Sequence, residues 1–202
     1  MNNINWCFKH VTEAKPEQSW LTGSVPFVFT KEECAEIIKH GIANLKQATT
    51  YSTTEPNGVL NLNIRDSNTY WIEPTEKWIY ERMEEYVMML NNNLFHYDLS
   101  GIAEKIQFTQ YVAPTGKYDA HIDRMNINDV TRKLSVTVQL SEPDTYSGGE
   151  LHILTNLEYP EIASKSIGSA FAFNSMLLHR VTPVTTGIRY SLVVWVTGPP
   201  FK

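Results

Sequence analysis

His121 and Asp123 stand one residue apart, His179 follows much later, and Arg189 lies ten residues beyond His179. On an extended segment, His-x-Asp puts both side chains on one face, because strand side chains alternate with period two. Two imidazoles and one carboxylate converging from one side hold a divalent metal and leave its other positions open; that donor set suits iron(II). The guanidinium of Arg189 can then clamp the far carboxylate of a chelating dicarboxylic acid, through a planar fork of donors. With six histidines in 202 residues, a His-x-Asp pair alone would be a weak signal. Its context strengthens it: His121 and His179 fall on separate expected strands that a jelly roll can bring together at one end.

The elements that must position these residues divide into helices first and strands later. Residues 1–30 read as extended and irregular. Thr30-Lys31-Glu32-Glu33 fits a capping box, and Cys34, Ile37, Ile38 and Ile42 recur at helical spacing, which predicts a helix over about 31–46. Residues 49–63, with Pro56-Asn57-Gly58, read as a loop or hairpin. Pro74-Thr75 opens a second predicted helix; Trp78, Ile79, Met83, Tyr86, Val87 and Leu90 form its apolar face through about Asn92. From residue 104 the pattern predicts strands at Lys105–Val112, Tyr118–Ile122, Lys133–Leu140, Glu150–Leu154, Tyr159–Ser164, Ser169–Asn174, Leu177–Val181 and Arg189–Val196. Lys133–Leu140 alternates polar and apolar strictly, as a half-buried strand does. Pro143–Gly149 reads as a turn. Short strands with Gly and Pro punctuation suggest a sandwich or jelly roll.

Composition narrows the function classes. A length of 202 residues suits one domain, and 42% hydrophobic residues suffice for a sizeable core. A net charge of −5 argues against a broad nucleic-acid footprint. Two cysteines, Cys7 and Cys34, exclude a disulfide scaffold and read as reduced thiols. No apolar run approaches the ~20 residues of a membrane span, and no leader pattern is visible. The expectation is a soluble, cytoplasmic protein.

The second half of the chain resembles the Fe(II)/2-oxoglutarate-dependent dioxygenases, in particular the prolyl 4-hydroxylase-like branch. The segments that carry the resemblance run from Gln110 to Arg124 through His121 and Asp123, from Ser147 to Leu151, and from His179 to Trp195 through Pro183, Gly187, Arg189 and Ser191. It covers roughly residues 104–198. It implies an α+β, mainly β fold, a double-stranded β-helix of the jelly-roll or cupin type with N-terminal supporting helices. It implies one domain over 1–202, with 1–103 as helical support and substrate-side loops and 104–198 as the catalytic core. His121, Asp123 and His179 match the iron ligands. Arg189 matches the residue that pairs with the distal carboxylate of 2-oxoglutarate, and Tyr111 and Ser191 match further cosubstrate contacts. Tyr118 matches a substrate-side Tyr, and Trp195 a Trp that packs beneath the site. The implied cofactors are Fe(II), 2-oxoglutarate and O₂, with ascorbate as an accessory reductant.

The implied activity is hydroxylation of a C–H bond, with release of succinate and CO₂. The implied partner is a peptide or protein, hydroxylated at a prolyl or other residue. Hydroxylation of a free amino acid or other small metabolite is the alternative. A non-catalytic jelly-roll module is disfavoured by the intact ligand set, and nucleic-acid demethylation by the net charge. Arg124, adjoining the polar segment 125–131 that reads as a lid, is a further substrate-side candidate, and Arg65, in the segment 49–68, reads either as a substrate contact or as a structural salt bridge. Arg180 reads as a solvated or salt-bridged residue. His10, His40, His96 and His152 have no partner at ligand spacing.

Overall fold

A computed structural model describes residues 5–7, 20–50, 54–55, 58–127, 129–156 and 158–200. His10, Pro56, Asn57 and most of the first thirty residues therefore lie outside the described residues, as does the side chain of Cys7.

In chain order, β1 (Trp6–Cys7) and β2 (Thr22–Val25) precede helix α1 (Lys31–Ile42), after which come β3 (Lys46–Gln47), β4 (Arg65–Asp66) and β5 (Asn68–Ile72). Helix α2 (Lys77–Leu90) runs into a π-helical turn at Asn91–Phe95. Then follow β6 (Gly101–Ile102), β7 (Ile106–Val112), β8 (Lys117–His121), β9 (Asn126–Ile127) and β10 (Val130–Gln139). The last are β11 (Tyr146–Gly148), β12 (Leu151–Ile153), β13 (Glu161–Ile162), β14 (Ala170–Asn174), β15 (His179–Val181) and β16 (Val184–Gly198).

The strands form two antiparallel sheets. The larger has the order β2-β14-β10-β16-β7-β5-β3, and the smaller the order β13-β12-β15-β8-β4. Both helices cover the larger sheet on the side away from the smaller one. Cys34 and Ile37 of α1 and Ile79, Met83 and Val87 of α2 join one buried cluster with Phe108, Leu134, Val136, Val138, Leu192 and Val194 of the sheet. A second cluster draws on both sheets: Tyr111, Leu151, Ile153, Phe171, Phe173, Val181 and Val184. This is the mainly β, jelly-roll architecture with supporting helices that the sequence predicts. Among the described residues no helix is long and apolar enough to cross a membrane.

The capping box is present: Glu33 N donates to Thr30 Oγ1 at 3.2 Å, and Thr30 N donates to Glu33 Oε2 at 2.8 Å. Glu33 also receives two hydrogen bonds from Arg82 of α2, at 3.0 and 3.1 Å, so the cap fastens one helix to the other. Thr30→Ala is expected to cost about 1 kcal/mol, which lowers Tm by about 2–4 °C in a chain of this size; thermal unfolding followed by circular dichroism checks this.

Several boundaries differ from the sequence expectation, for physical reasons. The first helix stops at Ile42, not residue 46, because Lys46 and Gln47 pair with Thr69 and Asn68 as a sheet edge. The second starts at Lys77 with Glu76 at its N-cap, and no side chain caps it. The segment read as a turn at 143–149 contains β11, paired with β16 through Tyr146 opposite Gly187. The strand expected at Tyr159–Ser164 is reduced to the two residues of β13. The strand expected to be half-buried is buried on both faces, with Thr137 alone of β10 reaching intermediate exposure. Leu134, Val136 and Val138 face the helix-covered core, whereas Ser135, Thr137 and Gln139 face the space between the sheets. Its alternation separates two interiors, not interior from solvent. The segment read as a lid closes as a hairpin, with Asn126 opposite Thr131 and Ile127 opposite Val130.

Candidate metal centre

The two histidines meet because their strands pair. β8 and β15 are antiparallel neighbours with His121 opposite His179, and the ring centroids are 4.2 Å apart. Asp123 lies just past β8, held by its backbone N–H donating to Ser175 O at 3.0 Å. Its Oδ1 is 3.6 Å from His121 Nε2 and its Oδ2 is 3.4 Å from His179 Nε2. The three potential ligand atoms lie within 4.8 Å of one another.

The surroundings fix which atoms point inward. His121 Nδ1 is 2.7 Å from Asp119 O, and His179 Nδ1 is 2.9 Å from Leu177 O. A carbonyl only accepts, so each Nδ1 carries a proton and each ring, in its neutral form, has its lone pair on Nε2. Burial pushes the His179 pKa down, against the pull of Asp123, which favours the neutral, ligating form. Burial works against the charged form of Asp123; His121, hydrogen-bonded to it when protonated, His179 when charged, and Arg132 outweigh it and hold the carboxyl well below the usual range. An ionised, buried carboxylate beside two imidazole Nε2 atoms is a donor set that a cation completes by taking the place of a proton on those rings.

A layer of residues behind the ligands orients them. Ser135 Oγ donates to Asp123 Oδ2 at 2.7 Å; its one proton is thereby committed, so Ser175 Oγ, 2.9 Å away, donates to Ser135. Arg132 Nη1 donates to Asp123 O at 3.1 Å. Its guanidinium also pairs with both oxygens of Glu104 and stacks over Trp195 at 4.0 Å. Ser135→Ala removes the donor to Asp123 and is expected to weaken metal binding about 10- to 100-fold, read by competition titration against a chelating dye.

The ligand set opens into a cavity of about 840 Å³, whose walls include Tyr111, Tyr118, Arg65, Arg124, Phe173 and Trp195. Tyr118 stacks on His121 with centroids 3.6 Å apart. Burial raises the pKa of Tyr118 and of Tyr111, against the nearby arginines, so both stay neutral hydrogen-bonding groups. Trp195, expected beneath the site, forms part of the cavity wall, and its buried Nε1 has no hydrogen-bond partner among the described residues. Arg124 is exposed at the rim.

Arg189 is 3% exposed and directly opposite Tyr111 in the β16–β7 pair, with its guanidinium 5.6 Å from that ring. Its Nε donates to Gln139 Oε1 at 3.1 Å, a neutral partner. It does not line the large cavity. It borders a separate void of about 10 Å³, which shares Thr137 and Leu151 with the large one. Gly149 (φ +61°) makes room beside it, since a Cβ there would come within 3.1 Å of Arg189 Cδ. Ser191, two residues on, has a fully buried Oγ with no hydrogen-bond partner among the described residues.

Residues 106–197 match the 2OG-Fe(II) oxygenase superfamily, a stretch from β7 into β16 that contains His121, Asp123, His179 and Arg189. Over this stretch, a little under half of its length, the chain is similar to that superfamily. A PKHD-type hydroxylase of Teredinibacter turnerae is 36% identical to this chain over 86 residues, 40% of this chain and 38% of that protein. Another, of Hyphomonas neptunium, is 42% identical over 83 residues, 39% of this chain and 37% of that protein. The matched stretch spans less than two fifths of these relatives' length. Among solved structures, the viral collagen prolyl hydroxylase of Paramecium Bursaria Chlorella virus-1, in its 2OG complex, has a TM-score of 0.66 at 18% identity, covering 89% of this chain and 97% of that one. A prolyl hydroxylase of Trichoplax adhaerens, in complex with a hypoxia inducible factor peptide fragment, has a TM-score of 0.65 at 19% identity, covering 87% and 82%. The fold is thus that of prolyl hydroxylases, and the superfamily implies Fe(II), 2-oxoglutarate and O₂.

The residues present fit those groups: two His with Nε2 facing an ionised Asp for iron, and a buried Arg with only a neutral partner plus a buried hydroxyl with none among the described residues for a carboxylate. Sequence reading missed Ser135, Ser175, Arg132 and Glu104 behind the ligands, and Gln139 on Arg189. Of the other histidines, His152 pairs with Glu150 at 3.0 Å and faces the exposed Arg180, while His40 packs edge-on against Tyr70.

Proposed function

We propose that this chain is an Fe(II)- and 2-oxoglutarate-dependent hydroxylase acting on a C–H bond of a peptide or protein, with a prolyl residue as target. The observation that carries the reading is the convergence of His121, Asp123 and His179 at the wall of a large cavity, with Arg189 and Ser191 buried and lacking an anion or a partner. When bound, iron with 2-oxoglutarate and O₂ supplies an oxidative decarboxylation, to succinate and CO₂, coupled to insertion of one oxygen atom into the C–H bond.

The chain's own residues hold and orient. His121, Asp123 and His179 would bind the metal from one side, and the Asp119 and Leu177 carbonyls keep their ring partners pointing inward. Arg189 would take the distal carboxylate of the cosubstrate with two parallel hydrogen bonds. Ser191 and Tyr111 would donate hydrogen bonds to it. Tyr118 and Arg124 would line the substrate's approach. No side chain is assigned to take or give a proton, because hydrogen-atom abstraction needs no general base.

The proposal treats residues 1–202 as one domain, supported by the buried cluster that joins both helices to the larger sheet. It places the protein in a reducing cytoplasm, which suits iron(II) and the free thiol of Cys34. The test is succinate release from purified protein with Fe(II), ascorbate and 2-oxoglutarate, with and without proline-containing peptides, and mass spectrometry of the peptide. Succinate above the metal-free control and a peptide heavier by one oxygen atom support the reading. No iron binding and no succinate, with or without peptide, would remove it.

A further inference from the structure

Two arginines are buried at this site without an anion, and the proposed cosubstrate accounts for only one of them. Arg65 is 8% exposed and is the other. Its Nε donates to Ser67 Oγ at 2.9 Å and its Nη2 to Gln107 Oε1 at 2.8 Å, both neutral acceptors. Among the described residues Nη1 donates to nothing, and no carboxylate lies at ion-pair distance from the guanidinium. A buried charge without a counter-charge is destabilising unless something else neutralises it.

Arg65 faces the reacting end of the site. Its strand, β4, pairs with β8 so that Arg65 is opposite Tyr118. Its guanidinium lies 4.7 Å over the Tyr118 ring, which stacks at 3.6 Å on His121, so the cation is no more than about 8.3 Å from that ligand's ring centroid. It lines the same 840 Å³ cavity as the three metal-ligand candidates. The anionic groups on that wall are already engaged. Glu104 is paired with Arg132, Asp123 belongs to the metal site, and Glu55 has an interaction of its own. Arg124 adds a second positive charge at the rim.

We propose that the substrate carries a carboxylate that Arg65 receives, with the reacting carbon directed towards His121, Asp123 and His179. This rests on the functional reading above and narrows it to a carboxylate-bearing substrate class. The carboxylate has two possible sources, a main-chain α-carboxylate or an acidic side chain beside the target. Tyr118, sandwiched between Arg65 and His121, would set the spacing between the anchored carboxylate and the attacked carbon.

The experiment presents randomised N-acetylated tripeptides to the protein loaded with Mn(II) and 2-oxoglutarate under nitrogen, so that binding is read without turnover. Four pools are compared: free acids and C-amides, each with and without Asp and Glu. Retained peptides and retained 2-oxoglutarate are quantified by mass spectrometry. At least tenfold greater retention of carboxylate-bearing pools over the neutral pool is expected. Preference in the free-acid pool marks an α-carboxylate, and preference in the Asp/Glu amide pool marks an acidic side chain. Arg65→Gln should abolish the ratio and Arg65→Lys keep part of it, whereas a purely structural Arg65 would lower all pools together. Equal retention of the neutral pool, no retained peptide, or a ratio that survives Arg65→Gln overturns the proposal while leaving the hydroxylase reading in place if 2-oxoglutarate is still held. Loss of 2-oxoglutarate retention in the wild-type protein overturns that reading and this one with it.

Discussion

Replacing His179 with Ala is expected to abolish metal-dependent turnover and to weaken Fe(II) binding by more than about 100-fold. Removing a residue that only orients a ligand already costs 10- to 100-fold in affinity, and here a ligand itself is lost. His179 sits across from His121 with its Nε2 3.4 Å from Asp123 Oδ2, so its removal leaves two donors on an incomplete face. Anaerobic Fe(II) titration and succinate release measure the two effects, and circular dichroism checks the fold. Wild-type metal affinity in this variant would place the metal elsewhere.

Arg189→Ala should leave the metal site intact and strike the cosubstrate. Removing one partner of a buried, hydrogen-bonded charge pair costs about 2–5 kcal/mol, so 2-oxoglutarate affinity should fall by about 30-fold or more at 1.4 kcal/mol per tenfold. The residue is 3% exposed and its observed hydrogen bond goes to the neutral Gln139, so water replaces it poorly. Isothermal titration with the Mn(II)-loaded protein reads the loss, and Mn(II) affinity itself should stay within a few-fold of wild type. Unchanged 2-oxoglutarate affinity would mean that the dicarboxylate binds another cation. Lys165 is the nearest alternative, since it lines the same small void as Arg189.

What the sequence made legible follows from periodicity and from motif spacing. His121 and Asp123 were readable as one face of an extended segment, and His179 and Arg189 as members of later strands. The capping box at Thr30 was readable because its two hydrogen bonds are local. The residues behind the ligands were not, because their partners are distant in sequence: Ser135 reaches Asp123, Ser175 reaches Ser135, and Arg132 reaches Glu104 only through strand register and sheet closure. One signal could have found some of them. The strict alternation at 133–140 marks Ser135, Thr137 and Gln139 as one face, and a strand buried on both sides makes that polar face a site lining instead of a solvated surface. Helix ends shifted for a related reason. Lys46 and Gln47 continue the helical pattern weakly, but pairing with β5 claims them for the sheet.

The central claim is that His121, Asp123 and His179 hold iron with adjoining positions free for a 2-oxo acid. Its most direct test is anaerobic visible absorption during addition of Fe(II) and then 2-oxoglutarate. The account predicts a charge-transfer band of a chelated 2-oxo acid that saturates at one iron per chain in the wild type and is absent in His179→Ala. No band in the wild type, or the same band in the variant, would contradict it.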